Sequence, residues 1–178
     1  MKRSIYPAII VVALLLFMQS CGGNNSPKTP VKKVQLDTIS SKFLKNAIEG
    51  GLAEVKTSEL VASHSQNKRV TFLAKMMVAD HNKAGATLKK IEANNAITGN
   101  EAISAAHNQT IEELSKKAGA DFDKAYLQAM IKDHENAVLL FINATQIKDS
   151  TLRVFAKKTL PVIQMHLDSA RVISKDIK

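Results

Sequence analysis

Tryptophan is absent from this 178-residue chain, cysteine occurs once, and proline only four times. A single cysteine, Cys21, excludes a disulfide framework, so stability has to come from a hydrophobic core. Aromatic residues make up 4% of the chain, and none interleaves with a basic run in the way that a base-stacking platform needs. Nucleic acid is therefore not an expected partner, although the formal net charge is +9. Strand-like alternation of apolar and polar residues is almost missing. No Gly-rich phosphate loop, nucleophile elbow or zinc-protease motif occurs, and nothing in the sequence recommends an enzyme over a binding protein.

The first residues read as an export signal. Lys2 and Arg3 are its charged end, Ile5 to Met18 its apolar stretch, and Met18-Gln19-Ser20-Cys21 a slightly irregular lipobox. The apolar run is shorter than the ~20 residues a bilayer-spanning helix requires. Residues 1–20 are accordingly expected to be a lipoprotein signal peptide. Cys21 becomes the lipidated first residue of an exported envelope protein, held at the membrane through that lipid and facing the periplasm from the outer membrane. Residues 21–36, rich in Gly, Asn, Ser, Pro and Lys, read as a flexible tether.

From residue 37 to 178 the chain is helical in character, with apolar residues returning every three or four positions. One helix is expected from about Thr38 to His64, capped by Asp37, with Ile39, Phe43, Ala47, Leu52, Val55 and Ala62 inward. A second runs from about Lys68 to Asn95 with the stripe Val70, Leu73, Met77, His81, Ala84, Leu88 and Ile91. A shorter segment, Ala102 to Lys117, ends at Gly119 as a C-terminal cap. Two further helices start at Asp121 and Ser150. Two tight hairpins joined by a longer connection with its own short helix make an all-α, ferritin-like four-helix bundle. Pro161 is expected to kink the last helix, and Gly50-Gly51 to let helices pack closely rather than to open space for a ligand.

Two phrases repeat: MVADH at 77–81 and MIKDH at 130–134. His81 and His134 fall on apolar stripes, as does His166, whereas His64 and His107 do not and read as surface residues. Counted from the hairpin turns, Glu54 and His81 lie about twelve and thirteen residues down their helices. His134 and His166 fall at similar depth, so one group from each long helix reaches a central layer. Asp80 and Asp133 adjoin it, and Glu49 or Glu59 replaces Glu54 if the register of the first helix differs. Imidazoles and carboxylates converging from facing helices can hold a transition metal such as copper, zinc, iron or manganese, to which Met77 and Met130 would add thioether sulfur. The same groups also suit a buried hydrogen-bond network that binds nothing, in a structural or partner-binding protein. Spacing alone leaves both readings open.

The runs FLAKMMVADHNKAGATL (72–88), FDKAYLQAMIKDHENAVLLF (122–141) and FAKKTLPVIQMHLDSA (155–170) resemble an uncharacterised ferritin-like family of exported bacterial proteins, known as a domain of unknown function. The resemblance implies a four-helix bundle outside the cytoplasm and supplies no activity. Ferritin-like di-iron proteins place a Glu three residues before each metal-binding His. Here those positions hold Val78, Ile131 and Ile163, which speaks against a carboxylate di-iron centre.

Overall fold

The computed structural model describes residues 35–95 and 102–177. The expected signal segment, Cys21 and most of the tether lie outside these residues. Among the described residues the elements are α1 (Thr38–Glu59), α2 (Val61–His64), α3 (Lys68–Asn94), α4 (Ala105–Ser115), α5 (Gly119–Ala144) and α6 (Ser150–Asp176), with no strand. The expected four-helix bundle is present: α1 pairs with α3, α5 pairs with α6, and the sides close through α3 with α6 and α1 with α5. The short α4 occupies the connection and lies against α1 and α5. No described helix is long and apolar enough to cross a membrane.

Short polar side chains start α1, α3 and α6. Asp37 accepts from the backbone N–H groups of Ile39 and Ser40 at 2.9 and 3.0 Å, Asn67 from Arg69 at 2.9 Å, and Asp149 from Leu152 at 2.8 Å. Each satisfies donors that the first helical turn leaves unpaired. The tether ends sooner than its composition suggests, because Leu36 is buried in the core ahead of Asp37.

The stripe of α3 and the inward placement of His134 on α5 and His166 on α6 are those expected, with Met77, Leu88, Met130, Leu152 and Ala170 fully or almost fully buried. The first helix departs from expectation. Ile39 is 70% exposed and Ala62 also faces solvent, while Ser40, Leu44 and Ile48 point inward instead. Its pattern fits two stripes, and packing against α3 and α5 selects the one that turns Glu54 inward. The helix also breaks at Leu60, just after the Thr57 hydroxyl donates to the Ala53 carbonyl at 2.9 Å, a back-bond that competes with the regular ladder. Pro161 sits on the exposed side of α6, and the helix continues through it.

Gly119 is not the terminator of α4, which ends at Ser115; it opens α5 with a left-handed φ of 57°. Gly50 was expected to allow close packing, yet a side chain there would meet nothing within 4 Å. The two glycines should therefore respond oppositely. Gly119→Ala is expected to destabilise the fold by about 1 kcal/mol through backbone strain, and Gly50→Ala to stabilise it by up to about 1 kcal/mol through helix propensity. Urea unfolding midpoints at unchanged m-value provide the comparison.

Candidate metal centre

The core consists of two hydrophobic clusters, one around Phe43, Leu88, Phe141 and Phe155, the other around Leu73, Met77, Phe122, Tyr126 and Met130. Between the two lies one polar residue from each long helix: Glu54 on α1, His81 on α3, His134 on α5 and His166 on α6. Helical periodicity turns each inward. His134 is 0% and His166 1% exposed, and Glu54 5%.

Glu54 lies between two imidazoles, its Oε2 2.9 Å from His81 Nε2 and its Oε1 3.2 Å from His134 Nδ1. The aligned hydrogen bond of His134 Nδ1 goes to the Met130 carbonyl at 2.9 Å. A carbonyl only accepts, so Nδ1 carries the proton and Nε2 presents a lone pair. His166 Nε2 is bonded to Asp80 Oδ2 at 3.0 Å, which by the same argument leaves a lone pair on its Nδ1. These two nitrogens, His134 Nε2 and His166 Nδ1, face each other at 3.4 Å. One nitrogen from each of His81, His134 and His166 lies within 4.8 Å of the others. His81 Nε2 is buried and, although close to Glu54, makes no aligned hydrogen bond.

Electrostatics separates the charge states. Burial alone raises the Glu54 carboxyl, but His81 and then His134 outweigh it and draw its pKa down to about 2. Burial disfavours the His81 cation, yet Glu54 overcomes this and the pKa ends above its ordinary value. Burial, reinforced by the His81 charge, lowers both His134 and His166, the latter to about 4. The layer thus holds one imidazole–carboxylate pair, His81 with Glu54, and two imidazoles, His134 and His166, that burial keeps toward the neutral form and whose lone pairs meet.

Glu54, His81, His134 and His166 come together, with Asp80 behind His166. Asp133 does not join them: it faces outward, 3.9 Å from His107 Nε2. Met77 is buried beside the layer, but its sulfur accepts from the Tyr126 hydroxyl at 3.4 Å, and Ser58 bridges to that hydroxyl at 2.9 Å. Met130 contributes its carbonyl. Glu59 is exposed and pairs with Lys56.

Sequence reasoning placed His107 on the surface and missed its role. It tethers α4 to α1 and α5: Nδ1 lies 2.7 Å from Glu49 Oε1, which also accepts from the Ser104 backbone N–H at 2.8 Å. His107 is 58 residues from Glu49 in sequence, and no local pattern announces such a contact. The carboxylates of Asp133 and Glu49 outweigh partial burial and push its pKa up to about 9. Above this ion set, and reaching inward to His81 and Glu54, lies a cavity of about 590 Å³.

A raised folded-state pKa means that the His107 contribution to stability is complete below its unfolded value near 6.5 and disappears as pH rises through about 9. Wild type is therefore expected to exceed His107→Gln in thermal midpoint most clearly at pH 5.5–6.5, with the gap closing by about pH 9. Calorimetry of the two proteins across that range measures it.

A crystal structure of a DUF305 fragment from Deinococcus radiodurans has the same fold, with a TM-score of 0.73 over 80% of this chain and 99% of that one, at 12% sequence identity. No curated protein matches the sequence. The sequence pattern of a domain of unknown function, DUF4142, matches residues 25–173, and the chain belongs to that family.

Proposed function

We propose that this bundle binds one transition-metal ion in its central layer, through nitrogens of His81, His134 and His166, and acts as a binding protein of the cell envelope rather than as a catalyst. The observation that carries this reading is the pair of lone pairs facing at 3.4 Å in a buried layer. Two acceptors so placed repel each other unless a proton or a cation lies between them, and the lowered pKa values of both rings disfavour the proton. A tetrahedral ion with metal–nitrogen distances near 2.0–2.1 Å has ligand edges of about 3.4 Å. The orphaned His81 Nε2 fits as a third donor.

The surroundings support the same reading. Metal-bound imidazoles usually donate their other N–H to a carboxylate or carbonyl that fixes the ring. Asp80 holds His166 in this way, the Met130 carbonyl holds His134, and Glu54 stands beside His81 and His134. Two carboxylates next to three neutral nitrogens balance the charge of a divalent ion. Imidazole donors suit copper and zinc more than the oxygen-seeking manganese, and the Val78, Ile131 and Ile163 positions lack the glutamates of a di-iron centre. The leader-like first twenty residues and Cys21 support attachment to the membrane through a lipid, with the bundle on the periplasmic side.

The rival reading, a purely structural network, draws on the fact that His134 and His166 already have acceptors for one nitrogen each. Elemental analysis of untagged protein decides between them. About one equivalent of copper or zinc is expected, lost in His134→Gln/His166→Gln. Ion at a hundredfold excess over Kd adds about 2.7 kcal/mol, which raises the melting temperature of a domain this size by about 5–10 °C. Metal-free protein that gains no thermal stability from any of copper, zinc, iron and manganese would leave the structural network as the explanation.

A further inference from the structure

The cavity beside the polar layer is a second feature, and the ion does not account for it. Its 590 Å³ falls within the 300–1,000 Å³ typical of small-molecule sites. Leu52, Val55, Leu88, Phe141, Phe155 and Ile163 form much of its wall.

Three observations indicate what fits. First, Gly50 and Gly85 both line the cavity inside helices, where a glycine weakens the helix, and at neither would a Cβ touch anything within 4 Å. Close packing therefore explains neither, and what both preserve is open volume. Second, the charged groups of the lining are three acidic, Glu49, Glu54 and Asp133, and three basic, Lys89, His81 and His107. The lining pairs its own charges: His81 Nε2 lies 2.9 Å from Glu54 Oε2 and His107 Nδ1 2.7 Å from Glu49 Oε1. A charged occupant would bury its charge without a counter-ion, which the site cannot compensate. Third, a polar atom of the His81 ring faces the inner wall. His81 Nδ1 is turned to Gly51, 3.7 Å from where a Cβ there would stand.

We propose that the cavity binds a neutral, mostly apolar small molecule with one hydrogen-bond-accepting oxygen, the oxygen resting on His81 Nδ1 and the apolar body lying along Leu88, Phe141 and Phe155. The site does not depend on the ion.

The test uses the full chain after chelator treatment, with 1-octanol as probe and octanoate and octylammonium as charged controls, followed by methyl NMR. Saturable one-to-one shifts are expected at the Leu52, Leu88 and Ile163 methyls, with octanol at least tenfold tighter than either charged control. Gly50→Leu fills the volume, and is expected to weaken octanol at least tenfold while circular dichroism holds and the unfolding midpoint does not fall. His81→Leu removes one hydrogen bond and is expected to cost about fivefold. Shifts centred instead on a second, exposed groove lined by Phe72, Met165 and Val172, equal or tighter binding of a charged control, or undiminished binding by Gly50→Leu would each overturn the proposal. Octanol binding in protein that takes up no metal separates this site from the ion site, since one can fail without the other.

Discussion

The arrangement of this bundle depends on a buried polar layer that has to be satisfied at mid-height. Glu54 and two of the three imidazoles are almost removed from water, and each unpaired buried polar group costs on the order of 1–3 kcal/mol. That cost fixes the helices axially and rotationally. A slip of one residue in any of them would replace a contact to Glu54 or Asp80 with an orphaned nitrogen or oxygen. The apolar clusters on either side tolerate small sliding, because dispersion and area burial have no direction; the layer between them does not. Buried polar groups that specify register in this way are known from coiled coils.

The two related phrases illustrate how little a local pattern says about a role. In MVADH the aspartate reaches across to His166, and in MIKDH it turns outward to His107. Both histidines point inward, since four-residue spacing from Met77 and Met130 sets their direction. An adjacent residue stands about 100° further round the helix, so each aspartate meets whatever element flanks its own helix. For Asp80 that element is α6; for Asp133 it is α4. The repeat encodes the inward imidazoles alone.

This also explains what was legible in the sequence. The stripes of α3, α5 and α6 carry long, strongly periodic apolar runs, and the placement of His81, His134 and His166 follows from them. The first helix has small and polar residues on two competing faces, so Glu54 could be placed only once its neighbours were known, and Ile39 fell on the wrong side. The tautomers of the imidazoles, the capture of the Met77 sulfur by Tyr126, and the His107 tether are tertiary events between residues 32 to 86 positions apart or more local ones with no periodic mark. Sequence could name the donor set; it could not say that two lone pairs confront each other.

His81 belongs to both the layer and the cavity, and a neutral imidazole has one proton to distribute between its two nitrogens. An acceptor bound at Nδ1 holds the proton on the cavity side and leaves Nε2, the buried and unaligned nitrogen, with a free lone pair. A cation held at Nε2 likewise requires the proton at Nδ1, where it serves an acceptor in the cavity. Each ligand therefore favours the tautomer that the other needs. By linkage the coupling is the same in both directions. The chemistry of one ring is enough to connect the two sites without any movement of the helices.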